Sequence, residues 1–164
     1  MIAVDTNLLV YAHRSDTRFH EAAGRVLQQL ADSRETWAIP WPCVHEFLSV
    51  VTGPVFGRAA TPLLMALDAM HQFLTHPRCM TLCEREGHFD LLAALCQHGS
   101  IQGGAVHDAR IAALCISHHV EEFWSADRDF SRFPDLRVRN PLIPSVHEPA
   151  AGYTPRRRRS PITA

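Results

Sequence analysis

Short apolar runs of three or four residues alternate with longer stretches of helical periodicity along most of this chain. Ile2–Val4 reads as a buried strand closed by Asp5. Thr6–His13 follows as a helix with Leu8, Leu9 and Ala12 on one face. Residues 19–31 keep the 3.6-residue period through Ala22, Ala23, Val26, Leu27 and Leu30. A second strand, residues 37–39, is closed by Pro40 and Pro42, and residues 43–51 form a helix striped by Val44, Phe47, Leu48 and Val51. Gly53, Pro54 and Gly57 mark a loop. Thr61 and Pro62 predict an N-cap and first helical residue, with the helix running to about Leu74. Further strands are expected at 80–82, at 122–125 and near Val138, with helices at 89–97 and 106–118 and a glycine-rich loop at 98–104. This alternation predicts an α/β fold: a central, mostly parallel sheet of about five short strands flanked by helices.

A chain of 164 residues with 46% apolar content supports one globular domain with a real core. No apolar run reaches the length needed to span a bilayer, and Asp5 interrupts the apolar start, so no signal peptide is read and a cytoplasmic protein is expected. The cysteines (Cys43, Cys79, Cys83, Cys96 and Cys115) are odd in number and lack a CxxC pair, which favours buried, reduced thiols over a zinc site. Every basic side chain is an arginine. Four of the sixteen are Arg156, Arg157, Arg158 and Arg159; without them, twelve basic face seventeen acidic side chains. Such a body does not wrap nucleic acid electrostatically, but it can concentrate negative charge around a metal. From Pro144 the composition turns to Pro, Ser, Gly and Arg and periodicity vanishes. The expected division is therefore a domain over residues 1–143 and a flexible tail over 144–164.

Ligands of an open parallel sheet bind beyond the carboxyl ends of its strands. Asp5 ends the first strand, and Asp127 and Asp129 follow the fourth. Glu46 and Asp108 fall near the first turns of helices that follow proline or glycine breaks. Each of these two lies in an apolar stretch, where an unpaired carboxylate is costly. One such acid alone would be explained by the helix dipole; four separate segments placing an acid this way call for a counter-ion. Oxygen ligands suit Mg2+ or Mn2+, and an ion of this kind activates water and stabilises phosphate charge.

The segments Val4-Asp5-Thr6-Asn7-Leu8-Leu9, His45-Glu46, His107-Asp108-Ala109 and Ser125-Ala126-Asp127-Arg128-Asp129-Phe130 together resemble a PIN domain, most nearly the VapC toxins of bacterial toxin–antitoxin operons. The likeness covers residues 1 to about 143, with all motifs in order. It implies a PIN-like three-layer sandwich and an Mg2+- or Mn2+-dependent endoribonuclease, usually dimeric and neutralised by a VapB-type antitoxin. The catalytic acids would be Asp5, Glu46, Asp108 and Asp127, with Asp129 at a more variable position. Asp5, Asp108 and Asp127 would hold the metal, directly or through water, and Asp129 would assist Asp127 or a second ion. Glu46 would orient or deprotonate the attacking water. Thr6, Asn7 and Ser125 would hydrogen-bond the carboxylates, Ser125 standing where the family more often has Thr.

Arg14, Arg110, Arg128 and Arg132 lie near these acids in sequence, and phosphate binding and surface ion pairing are equally open for them. The 156–159 run either adds nonspecific RNA affinity or is a solvated tail. His45 and His107 each precede an acid and could reach the pocket rim, but sequence neighbours on a helix do not share a face, so they are expected to point elsewhere; His118 is expected to meet helix-end carbonyls. Trp37 and Trp41 read as packing residues rather than base-stacking ones. Two other functions compete with this one. A PIN-like RNA-binding or regulatory module with little nuclease activity would be expected to have lost acids. A phosphatase of the HAD type needs a second Asp at position 7, where this chain has Asn7, and a lysine, which it lacks.

Overall fold

A computed structural model describes residues 1–143. The expectations for the tail, including Arg156, Arg157, Arg158 and Arg159, lie outside the described residues. Five strands, β1 (Ile2–Val4), β2 (Trp37–Pro40), β3 (Cys79–Leu82), β4 (Glu122–Trp124) and β5 (Val138–Arg139), form one sheet in the order β3-β2-β1-β4-β5. Every pairing is parallel, so the sheet is parallel throughout rather than mostly so. Six α-helices flank it: α1 (Thr6–His13), α2 (His20–Asp32), α3 (Trp41–Thr52), α4 (Leu63–Leu74), α5 (His88–His98) and α6 (Ala105–Ser117).

Burial explains the pattern. β2 is buried along its whole length, and Ala3, Val4 and Phe123 are closed off from water, as expected for parallel strands covered by helices. Helix α6 buries Ala109 and Ile111 through Cys115, whereas α5 has no fully buried residue and packs on α6. Among the described residues no helix is long and apolar enough to cross a membrane.

The strand order fixes where a ligand can go. The chain runs outward from β1 through β2 to β3, then returns to β4 on the other side of β1. The carboxyl ends of β1 and β4 therefore flank a topological switch point, the usual crevice for ligands in such sheets.

Three local expectations need correction. Residues Pro54–Ala59 form a 3-10 helix where a plain loop was expected. Thr61 does not cap α4, because its hydroxyl is paired with His13 Nε2 at 3.0 Å and its amide donates to the Val51 carbonyl; Pro62 is the N-cap residue instead. His118 Nε2 pairs with the Cys83 carbonyl at 2.8 Å rather than with the end of its own helix. The thiols also divide: Cys43 and Cys115 are buried, but Cys83 is open to solvent.

Candidate active site

Asp5 is the first residue after β1, where its amide donates to the Trp124 carbonyl of β4 at 3.0 Å. It is also the N-cap of α1, its Oδ1 accepting the Thr6 amide at 2.8 Å. Its Oδ2 accepts Asn7 Nδ2 at 2.6 Å and the Ser125 hydroxyl at 2.5 Å. Ser125 Oγ in turn accepts Asn7 Nδ2 at 3.0 Å and the Asp127 amide at 2.9 Å, and Asn7 Oδ1 accepts the Ala126 amide at 3.1 Å. Asn7 thus ties the end of β1 to the segment after β4. Asp5, with 4% of its surface exposed, and Ser125, with 2%, form the floor of the site.

The other acids arrive from the surrounding elements. Glu46 projects from α3, and the Thr6 hydroxyl donates to its Oε2 at 2.6 Å. Helix α3 begins at Trp41, two residues earlier than expected, so Glu46 falls in the second turn and the first turn holds no acid. The helix-dipole reading therefore does not account for it. Nor is it buried among apolar groups, because Glu46 is exposed. Asp108 lies in the first turn of α6 and is partly buried. Asp127 caps a 3-10 helix, Arg128–Arg132, through an Asp129 amide that donates to its Oδ1 at 2.9 Å.

Asp5, Thr6, Asn7, Glu46, Asp108 and Asp127 line one cavity of about 250 Å3, closed on its apolar side by Tyr11, Ile111 and Phe130. All four expected acids meet there. Asp129 stays outside its lining, exposed and paired with Arg132 at 3.2 Å.

Charge crowding is visible in the acids themselves. Burial pushes the Asp5 carboxyl up to about 7, against the hydrogen bonds from Ser125 and Thr6, and the charges of Glu46 and Asp127 push the same way. Asp108 is raised by partial burial and by Asp127, Asp129 and Glu46, with Arg132 opposing. A cation placed among these acids would offset that crowding. The donor set is all oxygen, which fits a hard divalent ion. Among the described residues no three acid, His or Cys side chains are already gathered into a metal cage.

The arginines separate. Arg14 is buried, its guanidinium bonded to both Asp16 oxygens and to the Ala59 carbonyl and stacked 4.0 Å over the Phe56 ring. It holds the fold together and does not face the acid cavity. Arg110 is bonded through Nε and Nη2 to Glu84 Oε1, and Arg128 is exposed beside Asp127. Trp37 is packed between Phe73 and His76, while Trp41 is partly exposed and meets the His45 ring edge-on at 5.6 Å. Two contacts went unforeseen. Cys43 Sγ lies 3.9 Å from Asp5 Oδ1, and Glu84 holds Arg110. Cys43 was detectable in principle, since it precedes Glu46 by three residues and shares its helix face. Glu84, in a loop, carried no signal.

The parallel α/β architecture is shared with known proteins. The PIN domain family model matches residues 2–136. Ribonuclease VapC43 from Mycobacterium tuberculosis is 35% identical over 148 residues, covering 90% of this chain and 99% of that protein. The chain belongs to the PIN domain family, among its VapC ribonucleases. Solved structures agree in fold. FitAB bound to an IR36 DNA fragment aligns with a TM-score of 0.65 at 19% identity, over 90% of this chain and 100% of that one. VapBC2 from Rickettsia felis, bound to a DNA fragment from its promoter, aligns with a TM-score of 0.60 at 22% identity, over 85% and 98%.

Proposed function

We propose that this chain is the toxin of a VapBC-type toxin–antitoxin pair, a divalent-metal-dependent endoribonuclease that hydrolyses RNA phosphodiester bonds. The observation that carries this reading is the convergence of Asp5, Glu46, Asp108 and Asp127 on one cavity at the sheet's switch point. The 35% identity to a ribonuclease over nearly the whole chain supports it.

Asp5, Asp108 and Asp127 are the residues that would hold Mg2+ or Mn2+, with Asp129 supporting Asp127. When bound, such an ion makes water a better nucleophile at neutral pH and offsets charge gathering on the phosphate oxygens. The chain's own groups do the rest. Thr6, Asn7 and Ser125 fix the Asp5 carboxylate and keep its oxygens from turning away. Glu46, its carboxylate steadied by the Thr6 hydroxyl, orients a water and accepts its proton. Tyr11, Ile111 and Phe130 also line the cavity and give it an apolar wall beside the acids. The further parts of the proposal are a PIN domain spanning 1–143, action in the cytoplasm, a homodimer and a VapB-type antitoxin as partner. A structurally similar chain belongs to a toxin–antitoxin complex from Klebsiella pneumoniae.

The test is cleavage of cellular RNA by the native chain and by Asp5→Asn, in Mg2+, in Mn2+ and in EDTA. Cleavage by the native chain that is lost in EDTA and in Asp5→Asn is the expected result. Metal-dependent RNA cleavage surviving in Asp5→Asn would overturn the mechanism. RNA binding without cleavage by the native chain in either metal would leave an RNA-binding module instead.

A further inference from the structure

Beside the acid cavity lies a second one, of about 450 Å3, and the two share Glu46, Asp108 and Ile111 in their walls. The second cavity differs in chemistry. His45 and Ser49 from α3 face it on one side, and His107 and Arg110 from α6 on the other. Among the described residues, Arg110 is the one arginine that lines either cavity. Its guanidinium is held by Glu84, which takes Nε and Nη2 on a single oxygen, Oε1. Of the five N–H groups on an arginine, that contact uses two and leaves three for another acceptor. The Arg110 side chain is 37% exposed, so those donors can be reached from outside.

An RNA strand presenting one phosphate to four carboxylates brings its neighbouring phosphates to the same negative surface. Repulsion there must be met by a cation fixed in place. Arginine suits this because its planar fork binds phosphate oxygens in pairs. Glu84 restricts the fork to one orientation, which lowers the entropy lost on binding. His45, His107 and Ser49 add side chains able to hydrogen-bond a base or a ribose hydroxyl. The cavity volume falls within the range of small-ligand pockets.

We infer that this second cavity is the subsite for the nucleotide next to the scissile bond, with Arg110 binding its phosphate and Glu84 acting as the positioning residue for Arg110. The inference rests on the ribonuclease reading for the word scissile, and on the cavity alone for the binding.

The experiment measures binding of a short fluorescent mixed-sequence single-stranded RNA to the full chain carrying Asp5→Asn, over a salt series. It also measures the concentration dependence of RNA cleavage by the otherwise native chain. Arg110→Gln is expected to weaken binding about tenfold and to make the slope of log affinity against log salt shallower by about 0.7, one phosphate contact on a single strand. In the active chain the same change raises KM and leaves kcat within about twofold. Arg110→Lys keeps the charge and therefore the salt slope. Ser49→Trp fills the cavity without changing charge, and it weakens binding with the slope unaltered. Glu84→Gln raises KM less than Arg110→Gln, and Glu84→Asp restores part of the loss. Thermal unfolding of each variant identifies any that fails to fold. Binding and KM within about twofold of the parent in both folded Arg110→Gln and folded Ser49→Trp would overturn the subsite. If the native chain cuts RNA and these variants match it, the subsite alone falls. If the native chain cuts nothing but Arg110→Gln still weakens binding, the nuclease reading falls and the binding site stands.

Discussion

Asp5 and Glu46 face the same cavity from opposite conditions. Asp5 is buried and saturated with donors: an amide, a side-chain amide and a hydroxyl. Glu46 is exposed and takes one donor, the Thr6 hydroxyl. The cavity thus has a buried, densely hydrogen-bonded floor and an exposed rim. The floor is where stability and function are bound together, because any change to Asp5 disturbs a network that joins two strands. The rim can be altered with little effect on the fold.

The largest expected effect is at the floor. Asp5→Asn should lower metal-dependent cleavage by at least about 10³-fold while circular dichroism shows a retained fold. The same variant reads the buried charge. The Asp5 pKa of about 7 in the folded chain exceeds its ordinary value of 3.8, so the folded state holds an extra proton between those values. Its stabilising share is complete below the lower value and is lost as pH rises through about 7. In EDTA, the native chain should therefore lose more melting temperature between pH 5 and pH 8 than Asp5→Asn does. His13, whose pKa burial lowers, works in the other direction and is common to both proteins. Equal pH dependence in the two would show that Asp5 is not held in a desolvated floor.

At the rim, Glu46→Gln is expected to lower kcat about 10²-fold with stability changed by less than ~0.5 kcal/mol. A comparable loss of stability, measured by urea denaturation, would erase the distinction between floor and rim. Ser125→Ala returns to the floor with a smaller catalytic effect, about tenfold, but a cost of ~1–3 kcal/mol, because Asn7 and the Asp127 amide lose their acceptor. Ser125→Thr keeps the hydroxyl and should retain most activity. The smallest effect is at Asp129, exposed and paired only with Arg132 among the described side chains. Asp129→Asn should change the cleavage rate by no more than about threefold and stability by less than ~0.5 kcal/mol.

The contrast also marks what could be read from the residues alone. The strands were legible as short apolar runs, and the acids that line the cavity stood out because Asp5 and Asp127 come soon after strands and Glu46 and Asp108 soon after proline or glycine breaks. What escaped were features set by contacts across the fold. Arg14 lies close to Asp5 in sequence, yet its side chain is claimed by Phe56 and the Ala59 carbonyl, some 45 residues away. Thr61 has the look of a helix cap, but its hydroxyl is taken by His13. The start of α3 at Trp41 was hidden by two flanking prolines that read as breakers and are tolerated at a helix N-terminus. That two-residue shift places Glu46 in the second turn, beyond the reach of the helix-dipole alternative.

The bond from Asn7 to Ser125 spans 118 positions of the chain. During synthesis, Asp5 leaves the ribosome early and waits without the hydroxyl that steadies it. A chain interrupted before β4 lacks both Ser125 and Asp127, so the floor of the site cannot form. The site is therefore a product of the whole domain and of no shorter stretch of it.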